Sequence, residues 1–528
     1  MGIYLNPNAE AFKEDKNTDI YVDKSLVLTE LNKLLGSRGK FVCMSRARRF
    51  GKSMAGNMIS AYYSKGCDTK EIFSKMKIGD VPGYEENLNK FNVIKLDLNG
   101  WYQRSLIEEN RTDVVKYIQE EVLEEFREAF PSIEFKQGTS IATNIQKVYG
   151  KTGEKFIIII DEYDVLVRER VAEKVFESYL QFLNSLFKDT TLRPAIALAY
   201  ITGILPIVRD KVQSKLNEFT EYSMVDAQQF AGLIGFTHEE VDDLCNTHGI
   251  DKEECARWYD GYKLSESVGV FNPLSVVNAV RRKEFGSYWS ATSTFEVLKD
   301  YIGMNFDGIR EDIISMMSGV AVPVKVKDFR NKLDDITNKD NVFTYLIHLG
   351  YLSYDRKTKT CKIPNEEVRE EWVSAIDYDD NYVKVIEIVN TSRKLLDATV
   401  NGDEAAVAKA LDAAHTEVTS PLTYNDEHCF QSAICLAYFY ANTRYTLVKE
   451  LPTGKGYADL VLIPYLPNIP ALVIELKHNK SAESALEQIK AKNYCQALTQ
   501  YKGDVLFVGI NYDEKTKEHE CKIEKIVL

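Results

Sequence analysis

Zinc-type cysteine pairing is missing from this chain. Its nine cysteines, at positions 43, 67, 245, 255, 361, 429, 435, 495 and 521, contain no C-x-x-C pair and have no histidine pair nearby. That pattern excludes the usual structural zinc frameworks and points to reduced thiols in the core. A basic excess is missing too: the formal net charge of −13 rules out a broadly cationic nucleic-acid surface, so contact with phosphate must be local or made through a metal ion. No stretch is long and apolar enough to span a bilayer. The nearest, Pro194 to Val208, is interrupted by Tyr200, Thr202 and Gly203 and falls short of the ~20 residues required. Met1 to Glu14 lacks a basic start followed by an apolar run, and Asn6 stands where a myristoylation motif needs Ser or Thr. The expectation is a cytoplasmic protein without membrane contact. Internal repeats and low-complexity tracts are also absent, and an apolar share of 45% with a charged share of 27% excludes wholesale disorder.

What is present is length and alternation. With 528 residues, and roughly 150 residues per domain, about three or four units are expected. The apolar runs Phe41 to Met44, Phe91 to Leu98, Phe156 to Ile160 and Ala195 to Ile201 are separated by longer helical stretches. Short buried strands alternating with helices imply an α/β core, a parallel sheet covered on both faces. This core is assigned to residues 1–235. Thr237 and Glu240 have capping-box spacing and open a mainly helical region, 236–375. Within it a helix over Val342 to Leu349, followed by hairpin-like segments to Pro364, reads as a winged helix. A DNA contact and a lid or packing role both remain open for it. Residues 376–415 read as a helical connector broken at Gly402-Asp403, and 416–528 as a second α/β domain. There a helix over Ser432 to Arg444 precedes strands at Thr446 to Glu450, Tyr457 to Ile463 and Ala471 to Leu476, a helix over Ala482 to Gln500 and a strand at Val505 to Gly509.

Two constellations carry chemistry. Phe50-Gly51-Lys52-Ser53 follows the first apolar strand, as a phosphate loop does. Its backbone N–H groups and a helix N-terminus cradle an anion, Lys52 would neutralise the β and γ phosphates of ATP, and Ser53 would hold magnesium. The common pattern places a first glycine at position 46, where this chain has Arg46. The partner half is the strand ending in Asp161-Glu162, with Asp161 supporting Mg2+ and Glu162 orienting or deprotonating the attacking water.

The segments Tyr21 to Lys24, Arg46-Ala47-Arg48-Arg49-Phe50-Gly51-Lys52-Ser53, Asp161-Glu162-Tyr163-Asp164, Thr202-Gly203-Ile204, Trp258 to Tyr262, Asn272-Pro273 and Pro364 to Val368 resemble the bacterial AAA-ATPase-like family over roughly residues 5 to 370. That family carries an arginine at the position of Arg46, and Ala47 in place of proline is this chain's own departure. The resemblance implies that Thr202 occupies a γ-phosphate-sensing position. It makes Asp164 an accessory residue and leaves Arg46, Arg48 and Arg49 either on phosphate or facing solvent. It supplies no arginine acting from a neighbouring subunit, and self-association stays open.

Near the C-terminus Asp459 and the Glu475-Leu476-Lys477 run stand 475 − 459 = 16 residues apart on two strands. Side chains alternate along a strand, so Glu475 and Lys477 share a face that Asp459 on a neighbouring strand can meet. Two carboxylates on magnesium beside a lysine that stabilises or helps deprotonate water are what metal-assisted phosphodiester cleavage needs. With Gln488 and Tyr494 on the next helix, the pattern resembles the PD-(D/E)xK nuclease superfamily, which implies a restriction-endonuclease-like fold, Mg2+ or Mn2+, and Glu450 and Glu427 as further acidic positions. From residue 416 onward 12 Lys and Arg face 14 Asp and Glu, which separates neither DNA from RNA nor binding from its absence. The combined expectation is an ATPase coupled to a metal-dependent nuclease. The rival is a nucleotide-dependent signalling switch or scaffold with an inactive C-terminal domain.

Overall fold

The computed structural model describes residues 2–108, 113–169, 171–207, 216–289, 295–303, 308–329, 338–377, 383–418, 427–453, 456–465, 469–491 and 503–526. They divide into two compact units, Met1–Tyr288 with Pro323–Glu367, and Trp289–Val322 with Val368–Leu528.

The first unit is built on five parallel strands, β1 (Phe41–Ser45), β2 (Asn92–Asp97), β3 (Phe156–Asp161), β4 (Ile196–Gly203) and β5 (Thr220–Tyr222), in the order β2-β3-β4-β1-β5. β1, β3 and β4 are buried at every position. Such strands lie inside a sheet with helices on both faces, and their β-branched and aromatic residues suit that setting. The core joins strand residues such as Ile158, Ile160 and Ile201 to Ile118, Phe126, Ile145 and Leu183 of the helices Val114–Ala129, Ile141–Thr152 and Glu173–Phe187. Ser45, Asp97, Asp161 and Gly203 all end their strands on one edge of the sheet, the edge where open α/β sheets bind ligands.

The predicted capping box is present: the Thr237 N–H donates to the Glu240 carboxylate at 2.9 Å, and the Glu240 N–H donates to the Thr237 hydroxyl at 3.4 Å. It starts the helix His238–His248 beside a small sheet of β6 (Phe236–Thr237), β7 (Tyr262–Lys263) and β8 (Gly269–Phe271), ordered β6-β8-β7. The two-residue strand β9 (Val322–Pro323) leads to Val324, which donates its N–H to Lys359. The helix Lys339–Leu349 and the antiparallel hairpin β10 (Ser353–Asp355) and β11 (Thr360–Lys362) follow in the helix-then-hairpin order read from sequence.

In the second unit the sheet runs β12 (Tyr445–Thr453), β13 (Gly456–Pro464), β14 (Ala471–His478), β15 (Val505–Asp513) and β16 (Glu518–Ile526) in spatial sequence. Only β14 and β15 are parallel, and the crossover between them includes the helix Ala482–Ala491, which packs on both. The helices Val383–Val400 and Glu404–Val418 pack with the helix Glu427–Ala437, and Glu404–Val418 also lies on β16. The stretch read as a connector is therefore packed into this unit. Among the described residues no helix is long and apolar enough to cross a membrane. None of the described cysteines forms a disulfide, and all but Cys67 are buried.

Candidate functional sites

The first site forms where β1 gives way to the helix Lys52–Tyr63. Two residues of the connecting loop take left-handed backbone, Arg49 at φ 67° and Gly51 at φ 84°. Glycine is what the sharper of these turns needs. Position 46 is not among them, so an arginine there costs the loop nothing in backbone conformation. Its side chain turns inward with no exposure, donating to the carbonyls of Ser45 and Tyr222 at 2.9 Å each and of Phe230 at 3.2 Å. Burial pulls its guanidinium down to about 10. Arg46 thus does not face solvent; it ties the loop to the segment after β5. Arg49 donates to the Tyr288 carbonyl, Phe50 packs edge-on against Tyr262 with ring centroids 5.3 Å apart, and the Arg48 carbonyl accepts from Asn272 at 3.5 Å. Arg48 is half-buried, and its guanidinium is lowered first by burial and then by the like charge of Arg168.

Lys52 is buried and closes the loop by donating to the Ala47 carbonyl at 2.9 Å. Burial lowers its ammonium, while Glu162, Asp161 and Asp164 pull the other way. Asp161 is 6% exposed, and burial raises its carboxyl while the neighbouring Ser53 hydroxyl lowers it. Asp97, its register partner on β2, adds like charge. A buried carboxylate beside a hydroxyl at a helix N-terminus is a donor set that suits a hard divalent cation. Thr202 is buried beside Asp161 in the register and donates to the Met44 carbonyl at 2.9 Å.

Glu162 has left-handed backbone at φ 52° and pairs with Arg168. Arg168 also meets Asp164 at 3.2 Å. Asp164 accepts the N–H groups of Ile204 at 3.0 Å and Leu205 at 2.8 Å, fixing the loop beyond Thr202. A Cβ at Gly203 would run into the Asp164 carboxylate, so the glycine is required by this close approach. Arg168 and Asp97 were not singled out from sequence. The i, i+4 spacing of Asp164 and Arg168 was the available signal for the first.

The second site lies on β13 and β14. Their pairing of Leu460 with Ile474 sets Asp459 beside Glu475 at the next step. The Leu476 N–H donates to Asp459 Oδ2 at 2.7 Å, and Lys477 Nζ lies 3.0 Å from Glu475 Oε1. Gln488 donates to the same carboxylate from its helix. Glu475 is 1% exposed, and this lysine and amide are the partners that its buried carboxyl group meets. Gln431, unremarked in the sequence, donates to the Asp459 carbonyl at 2.7 Å. The structure thus brings Asp459, Glu475, Lys477 and Gln488 together. Tyr494 and the side chains of Glu427 and Glu450 lie outside the described residues. Among the described residues no group of three or more His, Cys, Asp or Glu gathers as a metal site; this site offers two carboxylates, the oxygen ligands a hard cation takes.

Comparison with known proteins agrees with both regions. Residues 10–213 match the AAA-ATPase-like family, described as Predicted AAA-ATPase, and residues 425–522 match the PD-(D/E)XK nuclease superfamily. A curated relative, the "Uncharacterized protein in vnfD 5'region" of Azotobacter chroococcum mcd 1, is 24% identical over 290 residues, 53% of this chain and 52% of that protein. The chain thus spans about half the length of the curated relative it matches. Among solved structures, the Aeropyrum pernix ORC1 protein in complex with DNA is 13% identical, covering 72% of this chain and 98% of that one at a TM-score of 0.27. The Aeropyrum pernix ORC2 protein in ADPNP and ADP complexes is 10% identical, covering 72% and 93% at 0.23. Scores this low give neither structural likeness any weight.

Proposed function

We propose that this chain, which joins an AAA-ATPase-like region to a region of the PD-(D/E)XK nuclease superfamily, hydrolyses ATP and uses the nucleotide cycle to govern metal-dependent cleavage of nucleic acid. The observation that carries the nuclease half is the convergence of Asp459, Glu475, Lys477 and Gln488 from two adjacent strands and one helix. The ATPase half rests on Lys52, Ser53 and Asp161 meeting at the N-terminus of the helix Lys52–Tyr63.

In this reading Lys52 and the helix N-terminus receive the phosphates, Ser53 and Asp161 hold Mg2+, and Glu162 accepts the proton of the attacking water. Thr202 and Arg48 flank the terminal phosphate, while Arg46, Arg49 and Phe50 hold the loop that binds it. Asp459 and Glu475 hold the second cation, Mg2+ or Mn2+, and Lys477 stabilises the nucleophile. Bound metal would screen phosphate charge in the first site and polarise the scissile phosphodiester in the second.

The test is cleavage of labelled single- and double-stranded DNA and RNA by the purified chain with Mg2+ or Mn2+, with and without ATP. Lys52→Ala and Lys477→Ala variants are run beside it. Cutting lost in Lys477→Ala, with ATP turnover kept, supports the nuclease and identifies its substrate. Cutting that responds to ATP only when Lys52 is intact supports the coupling. A chain that binds ATP and cuts nothing under either metal would be a nucleotide switch instead.

A further inference from the structure

Glu162 is not free to act as a base in this structure. Its carboxylate is engaged by Arg168, six residues on, and its own backbone sits at φ 52°. A non-glycine residue persists in that region when its surroundings hold it there, and such positions cluster at switching and catalytic sites. The two partners of Arg168 differ in kind. Asp164 has a side chain only 1% exposed and is fixed by two backbone N–H groups, whereas the Glu162 side chain is 26% exposed. One end of the guanidinium is therefore pinned inside the protein, and the other rests on a partner at the open side. Arg48 and Lys52 both lie within electrostatic reach of Arg168, so the same space already gathers the cations that would meet phosphate.

Resting on the ATPase reading above, we infer that Arg168 acts in cis as the arginine that meets the terminal phosphate of a bound nucleoside triphosphate, exchanging Glu162 for it. Pivoting about Asp164, the guanidinium moves one ion pair from carboxylate to phosphate and so frees Glu162. Water oxygen then attacks the γ-phosphorus, the bond from that phosphorus to the β-phosphate oxygen breaks, the diphosphate leaves with its electron pair, and Glu162 takes the proton of the attacking water. The arrangement couples the base to the presence of a third phosphate, because a diphosphate leaves Arg168 on Glu162. A ligand shifts such an equilibrium only through its differential affinity for the two states, and the γ-phosphate is the group that differs. An arginine supplied to phosphoryl transfer is worth about 10³–10⁵ in turnover. With one in cis, no neighbouring subunit has to complete this site.

The experiment measures ATP turnover and the separate affinities for ATP and ADP in the full chain, in Arg168→Ala, in Arg168→Lys, and in Glu162→Gln with and without Arg168→Ala. Arg168→Ala should lose at least about 10²-fold in kcat while ADP affinity stays within about 3-fold. Arg168→Lys keeps the ion pair to Asp164, and with it the fold, and should show the same pattern with a smaller loss. Glu162→Gln, which removes the competing carboxylate charge, should raise the preference for ATP over ADP, and Arg168→Ala in that background should abolish the rise. Specific activity should not depend on protein concentration, and mixing Arg168→Ala with Lys52→Ala should restore nothing. Normal turnover in Arg168→Ala, equal loss of ATP and ADP binding in folded Arg168→Lys, or activity regained on mixing would overturn the inference while leaving the ATPase reading standing. A wild-type chain that neither binds nor hydrolyses any nucleoside triphosphate would remove the reading itself, and the inference with it.

Discussion

Replacing Arg46 by Met separates a structural role from a phosphate contact. The substitution keeps the length and much of the apolar volume of the side chain but removes its bonds to the carbonyls of Ser45, Tyr222 and Phe230. Each buried carbonyl left without a donor costs about 1–3 kcal/mol. Release of a guanidinium that burial already pulls down to about 10 returns part of that sum. Three such carbonyls cost about 3–9 kcal/mol together, and a return of about 3 kcal/mol for a guanidinium lowered from 12.5 to about 10 leaves a net loss of about 3 kcal/mol at mid-range. It should fall on a defined place. β5 pairs with β1 from Val42–Thr220 to Met44–Tyr222, and the guanidinium ties the β5 end and the Phe230 turn to the start of the phosphate loop. Amide exchange of residues 220–230, read by mass spectrometry, should therefore accelerate about 10²–10³-fold relative to wild type. ATP affinity, measured where the variant stays folded, should change by less than about 3-fold, since about 0.7 kcal/mol is the most a loosened loop should pass on. Unchanged protection together with a tenfold or larger loss of ATP affinity would refute this reasoning and return Arg46 to the phosphates.

Three further outcomes follow from buried groups. Burial raises the Asp161 carboxyl above its ordinary 3.8, so the folded state favours the protonated form; the associated stability is full below 3.8 and is lost as pH rises through the folded value. Asp161→Asn should therefore be more stable than wild type at pH 7 in thermal unfolding, with the gain shrinking on acidification, while hydrolysis is abolished. His348 is buried and held down to about 3 from 6.5 by burial alone, so the unfolded chain binds the extra proton. Stability should fall as pH drops from 6.5 toward 3, by up to about 1.4 kcal/mol per pH unit, and His348→Leu should remove that component from the urea-unfolding pH profile. Gly261 holds φ 110°, and a Cβ there would meet the Pro364 carbonyl; Gly261→Ala should destabilise the first unit by at least about 3 kcal/mol, seen as early proteolysis between residues 260 and 365.

The strands that were readable from sequence are those whose burial leaves a continuous apolar run. β1, β3 and β4 appear in the sequence as they do in the sheet because both of their faces are covered. β5, three residues with Glu221 at its centre, carries no such run, and its place beside β1 comes from tertiary pairing. β16 alternates buried His519 and Cys521 with exposed Glu518 and Glu520, a short-period signal masked by charge. The pair Asp459 and Glu475 was accessible because strand alternation and a spacing of 16 residues are local facts. Arg168, Asp97 and Gln431 were not, because their roles depend on which backbone group or carboxylate lies across the fold. Arg46 shows the same limit from the other side: a motif fixes its position in the chain, and only packing fixes the direction of its side chain.

The remaining motifs of the first unit acquire a physical reason once the loop is in place. Phe50 sits against Tyr262, whose hydroxyl donates to the Gly350 carbonyl at 2.9 Å. The turn before Tyr262 is held by Asn365, which donates to the Asp260 carbonyl at 2.7 Å, and the missing side chain of Gly261 lets Pro364 approach. Asn272 caps the helix Pro273–Arg282 with its side-chain oxygen and turns its amide to the Arg48 carbonyl. Glu367, fully buried, accepts from Ser275 at 2.9 Å and from the Tyr288 N–H at 2.8 Å, and the Tyr288 carbonyl in turn receives Arg49. The Trp258 to Tyr262, Asn272-Pro273 and Pro364 to Val368 motifs thus end on the phosphate loop or on a residue that touches it, whereas Lys24 of the Tyr21 to Lys24 motif reaches the Gly232 carbonyl and Glu240 instead. A displacement of Arg48, Arg49 or Phe50 by an incoming phosphate must be accommodated along these contacts, since close-packed interiors shift between discrete arrangements rather than deform smoothly. Their last member, Glu367, is followed directly in the chain by Val368, where the second unit resumes. On the proposed reading, in which the nucleotide cycle governs cleavage, that continuity makes Glu367→Gln the substitution expected to leave ATP turnover in place while weakening the response of cleavage to ATP; cleavage measured with and without ATP beside turnover checks it, and an unchanged response would refute it.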